Sequence, residues 1–185
     1  MSSIFNFRKP VFYQASFTLD FNEEQGDEVF ISYNFPYSFS RLSRVLRKLK
    51  AQKSNHTFLK ETILCPSLSG IDVPYLIVTT RVNQSNYDCI DPAADNIPKD
   101  RVCKQKKKRV VVVIGRVHPG ESNSSFMMEG FIKFITSSTN SVAIELRKRI
   151  IFRIIPITNP DGVIAGNYRV SMSGNDLNRR YQSPH

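Results

Sequence analysis

The chain has 185 residues, of which 41% are hydrophobic and 11% aromatic, and a formal net charge of +10. That is enough apolar material for the core of one ordinary domain, and it excludes a disordered or low-complexity polypeptide. The three cysteines, Cys65, Cys89 and Cys103, show no CxxC spacing, which argues against a disulfide framework or thiolate metal site and for free thiols in a reducing compartment.

The N-terminus lacks the apolar run and small-residue cleavage site of a secretory signal, and no stretch has the length of a membrane span. The expectation is a cytoplasmic protein with no membrane partner. Two strand-like runs, Ala15 to Phe21 and Val29 to Tyr33, flank an acidic turn and read as a β-hairpin. A pair of strands cannot bury a core alone, so it is expected to belong to a small β-domain or to pack on the later part of the chain.

After Pro36 the period changes. Leu42, Val45, Leu46 and Leu49 fall at i, i+3, i+4 and i+7, with Arg41, Arg44, Arg47, Lys48 and Lys50 between them. This spacing predicts an amphipathic helix with a basic outer face. Thr57 to Leu64 and Tyr75 to Thr80 read as a second hairpin, at a sheet edge, turning through Pro66 to Gly70. Asn83 to Lys108 shows no period and reads as a surface loop.

Val110 to Ile114 is a continuous β-branched run, the pattern of a strand buried on both faces. Helices are predicted at Ser122 to Thr136 and Val142 to Arg147, and a further buried strand at Ile150 to Ile155. Strand, helix and strand at this spacing form a βαβ crossover. The fold class expected is α/β, with a mixed, largely parallel sheet flanked by helices. Lys104 to Arg109 is a basic run without an RNA-binding aromatic motif or zinc-finger spacing beside it, so it reads as a solvated turn and no nucleic-acid partner is expected.

Gly115-Arg116-Val117-His118-Pro119-Gly120-Glu121 follows the valine run and leads into a helix. Open α/β sheets place ligands at the carboxyl ends of their strands. A turn between His118 and Glu121 can bring an imidazole nitrogen and a carboxylate onto one ion, and zinc accepts such donors. Spacing alone is a weak signal and favours a plain turn with a helix-start glutamate. The next buried strand ends in Thr158-Asn159-Pro160-Asp161-Gly162, followed by Arg169 and Asp176-Leu177-Asn178-Arg179.

His118 to Glu121, Asn159 to Gly162 and Asn178-Arg179, in that order, resemble the zinc metallocarboxypeptidases of the carboxypeptidase A type. Phe35 to Leu42, Leu68 to Pro74 and the His-Pro-Gly-Glu form of the motif are similar to the cytosolic carboxypeptidase branch, which trims glutamates from tubulin tails and other acidic C-termini. The resemblance implies a zinc hydrolase with His118 and Glu121 as metal ligands. It makes Arg169 the oxyanion stabiliser, Asn178 and Arg179 the grip on the substrate's terminal carboxylate, and Asp176 the partner of the other His118 ring nitrogen.

It also implies a third histidine ligand and a general-base glutamate downstream of Arg179, so the expectation is a truncated chain. Residues 1–36 would end a small β-sandwich domain, and 37–185 would be the N-terminal half of the catalytic domain. His56 and His185 are expected at the surface. Two alternatives stay open: a non-catalytic module that docks acidic C-terminal tails, and a deacylase of the aspartoacylase kind, which shares HxxE and the Asn-Arg pair.

Overall fold

A computed structural model describes residues 16–18, 30–51, 57–80 and 108–182. The chain divides into two units, Met1–Ser32 and Tyr33–His185. In the first unit the described residues 16–18 and 30–32 carry no strand, and Tyr33, the last residue of the predicted N-terminal hairpin, carries none either. The rest of that hairpin lies outside the described residues, as do the loop at 81–107, most of the basic run, His56 and His185.

In the second unit α1 (Phe39–Ala51) is followed by β1 (Thr57–Pro66), β2 (Asp72–Thr80) and β3 (Arg109–Ile114). Then come α2 (Ser122–Thr136), α3 (Ser141–Arg149), β4 (Ile150–Ile155) and the short α4 (Pro160–Ala165). The helices form where period and caps dictate. Leu42, Leu46 and Leu49 of α1 are buried while Arg44, Arg47, Lys48 and Lys50 face out. Asn140 caps α3 by accepting from the Ala143 amide, and Asn159 caps α4 by accepting from Gly162, with Pro160 at the first helical position where no donor is needed.

The four strands form one sheet in the order β1-β2-β4-β3. β1 and β2 are an antiparallel hairpin at one edge, as predicted, and β3 and β4 are the parallel pair of a crossover through α2 and α3. β2, however, runs antiparallel to β4, so two of the three pairings are antiparallel and the expected largely parallel sheet is corrected to a mostly antiparallel one. The physical reason is the hairpin, whose inner strand joins the crossover pair with reversed direction.

The core lies between one sheet face and the layer of α1 and α2. Leu76, Val78, Phe152 and Ile154 of the sheet meet Leu42, Leu46, Leu49, Met128, Ile132 and Ile135 of the helices. The expected burial of β3 on both faces is not found. Val110, Val112 and Ile114 are 49, 60 and 46% exposed, because β3 is the edge strand among the described residues. A β-branched run encodes strand preference, and cover has to come from neighbours. Among the described residues no helix is long and apolar enough to cross a membrane.

Candidate functional site

β3 ends at Ile114 and the chain turns through His118 to Glu121 into α2, so the turn sits at the carboxyl end of the parallel pair. Its two glycine-dependent contacts explain its composition. A Cβ on Gly120 would collide with the Tyr168 ring and backbone, and the Gly120 amide donates to the Tyr168 carbonyl at 2.7 Å. A Cβ on Gly162 would meet the Pro119 ring and the Asn159 amide, so the Asn-Pro-Asp-Gly segment closes against the His-Pro-Gly-Glu turn only with glycine there. A third tie comes from upstream, where the Asn34 side-chain amide donates to the Gly120 carbonyl at 2.9 Å and the Ser122 hydroxyl to the Phe35 carbonyl at 2.6 Å.

His118 is buried, and each ring nitrogen faces a carboxylate. Nδ1 lies 3.0 Å from Glu121 Oε1 and Nε2 lies 2.9 Å from Asp176 Oδ1. In the tautomer with Nε2–H donating to Asp176, the Nδ1 lone pair faces Glu121, the arrangement a metal-binding histidine uses. Asp176 does more than orient one ring. Its Oδ2 accepts from Arg169 Nε at 2.7 Å, and its Oδ1 also accepts from the Asn178 amide at 2.9 Å. The His118 hydrogen bond outweighs burial and, with Arg169 and the Asn178 amide, holds the Asp176 carboxyl down at about 2.

His118, Glu121, Asp176 and Arg169 are thus brought together, and Asn178 joins through its backbone. The Asn178 and Arg179 side chains are exposed, with the Arg179 guanidinium donating to the Asn178 carbonyl at 3.1 Å. Sequence reasoning passed over Arg116, buried beside the turn, and Asp161, which accepts from Ser67 Oγ at 2.6 Å and from the Ser69 amide at 3.1 Å. Nothing local marks either one, because both act on segments distant in sequence or on backbone carbonyls.

The pair His118 and Glu121 fits zinc in donor type, and its 3.0 Å separation is within a few tenths of an ångström of the roughly 3.4 Å between two donors about 2.1 Å from a tetrahedral ion. Among the described residues no group of three or more His, Cys, Asp or Glu is placed to hold a metal. The pair therefore accounts for two of the three protein ligands that a catalytic zinc takes.

Sequence and fold comparisons identify the family. The zinc carboxypeptidase family model matches residues 42–184. The chain belongs to the zinc carboxypeptidase family. Among its relatives, cytosolic carboxypeptidase 2 of Danio rerio is 38% identical over 92% of the chain and 21% of its own length. Cytosolic carboxypeptidase 1 of Homo sapiens is 37% identical over 94% of the chain and 13% of its own length. The chain therefore spans roughly an eighth to a fifth of the length of these two relatives, at 13% and 21%. A crystal structure of a metallo-carboxypeptidase from Burkholderia cenocepacia superposes with a TM-score of 0.62 at 26% identity, covering 81% of the chain and 34% of that protein.

Proposed function

We propose that the chain carries the front part of a cytoplasmic zinc carboxypeptidase site that removes C-terminal residues, glutamates above all, from acidic protein tails such as those of tubulin. The observation that carries this reading is the Asp176 carboxylate, which ties His118, Arg169 and the Asn178 amide into one cluster next to Glu121. On this reading residues 37–185 are the N-terminal half of the catalytic domain. The relatives' names supply the carboxypeptidase activity and the cytosolic setting, and the +10 charge favours acidic partners.

Each residue has one task in this proposal. His118 and Glu121 would hold the zinc, whose chemistry there is Lewis acidity toward the scissile carbonyl and a water of lowered pKa. Asp176 holds the His118 ring in one orientation. Arg169, fixed by Asp176 through Nε, keeps its terminal nitrogens for negative charge developing on the carbonyl oxygen. Asn178 and the Arg179 guanidinium grip the terminal carboxylate, which limits attack to the chain end.

A second reading is favoured by the count of two metal donors among the described residues: a module that binds acidic C-terminal tails without cleaving them. One experiment separates the two. The 185-residue chain is incubated with zinc and a peptide ending in three glutamates, with anisotropy reporting binding and mass spectrometry reporting release. Glutamate release abolished by His118→Ala supports the peptidase. Salt-sensitive binding without release, weakened by Arg179→Ala, supports the module, and the absence of both signals rejects the module and any activity of the 185 residues on their own.

A further inference from the structure

Arg116 stands between β3 and the His118–Glu121 turn, and among the described residues it is the non-glycine with a positive φ, 52°. Left-handed backbone crowds any Cβ, so glycine would be the easier residue there. The arginine side chain is nevertheless buried, and its Nε and Nη1 are both engaged. Its Nε donates to the Pro119 carbonyl at 2.7 Å, and Nη1 donates to Ser125 Oγ at 2.8 Å and to the Tyr37 carbonyl at 3.2 Å. Its backbone amide donates to Ser124 Oγ at 3.1 Å, and its carbonyl accepts from the Asn159 amide at 3.3 Å.

These bonds surround the pair that would hold the metal. Pro119 is the residue between His118 and Gly120, Ser124 and Ser125 lie in the first turn of α2 just past Glu121, and Tyr37 precedes α1. A fork with rigid N–H directions can bind several carbonyl and hydroxyl acceptors at once, which a single ammonium cannot do. We propose that Arg116 is the positioning residue of the site, clamping the turn between α2 and the Tyr37 segment so that His118 and Glu121 keep a single spacing. This rests on reading His118 and Glu121 as the metal-holding pair.

Replacing Arg116 with glycine separates two effects that usually come together. A residue that merely fills a backbone position predicts that Arg116→Gly is neutral or stabilising, because the left-handed backbone is relieved. A positioning role predicts a loosened turn on a backbone that is otherwise at ease.

The measurement is residue-resolved amide hydrogen exchange of the metal-free 185-residue chain. The Gly120, Glu121 and Ser122 amides, bonded to the Tyr168, His118 and Gly120 carbonyls, report on the turn. The expected result for Arg116→Gly is exchange at these amides faster by about tenfold or more, with the paired amides of β2 and β4 unchanged. Zinc affinity, titrated with zinc alone, should fall by about 10-fold or more, the scale seen when a residue supporting a metal ligand is lost. Turn amides within twofold of the parent chain, or accelerated only in step with β2 and β4, overturn the proposal. Should Arg116→Gly not fold, Arg116→Lys, which keeps the charge without the fork, is judged on the same exchange criteria. If the parent chain binds zinc no better than His118→Ala does, the metal reading fails, while the exchange result still decides what Arg116 does.

Discussion

His118 Nε2 and Asp176 Oδ1 stand 2.9 Å apart although 58 residues separate them in sequence. The contact joins the turn after β3 to the segment following α4, and through Arg169 and the Asn178 amide it gathers the residues given functional roles. Stability at low pH should report it. The Asp176 carboxyl is held down at about 2 from an ordinary 3.8, so its contribution is fully present above about pH 4 and is lost as pH falls through about 2. Urea midpoints of the parent chain and of Asp176→Asn, measured from pH 5 to pH 2, should therefore differ at pH 5 and converge toward pH 2. A constant difference would refute the assignment.

Arg147 is fully buried, and its Nη1 donates to the Ile135 and Ser137 carbonyls at the end of α2, while Nε and Nη2 are buried without a hydrogen-bond partner among the described residues. Arg147→Ala leaves a cavity and strands both carbonyls, at a cost of about 2–4 kcal/mol. Arg147→Met strands the same carbonyls but fills the volume and removes two unpartnered donors, so it should cost about 1–2 kcal/mol less than Arg147→Ala. Chemical denaturation of both variants gives the comparison.

Two glycines should respond with opposite signs to the same substitution. Gly162→Ala drives a methyl into Pro119 and Asn159 and is expected to destabilise by about 1–3 kcal/mol. Gly130, inside α2, has open space at its Cβ, so Gly130→Ala should stabilise by about 0.5–1 kcal/mol. Thermal melts of the pair test the close approach of the two motifs directly.

The Arg179 guanidinium is exposed and, among the described residues, donates to the neighbouring Asn178 carbonyl alone, while the backbone amide bond to the Asp176 carbonyl survives substitution, so Arg179→Ala should leave the melting temperature unchanged. If it grips a terminal carboxylate, the same variant should weaken binding of an acidic peptide tenfold or more, and an amidated peptide should bind the parent chain as weakly. Equal affinity for acid and amide would rule out the grip.

Much of the fold and site is legible in the sequence because the signals are local. The heptad-like leucines specify α1, and Ile150 to Ile155 and Ser122 to Thr136 have the same bounds in the sequence pattern and in the fold. The family resemblance carried by the motifs implies one neighbourhood for His118, Glu121, Arg169 and Asp176, and the structure brings the four together. Cover and direction are not legible. The valines of β3 declare a strand but cannot declare that nothing described lies beyond it, and no residue of β2 states that it will run against β4. Arg116 escapes because its value lies in carbonyls and hydroxyls of other segments, and an arginine after a strand reads as solvated until the backbone turns left-handed.

The tip of the β1–β2 hairpin has a use beyond closing a sheet edge. Gly70, at φ 77°, lets the turn fold back so that Ser67 Oγ and the Ser69 amide both reach the Asp161 carboxylate. Asp161 belongs to α4, which ends four residues before Arg169. The hairpin thus acts as a buttress for the arm that carries that arginine, and a length change in the turn would be felt as a displaced guanidinium more than 90 residues further along the chain.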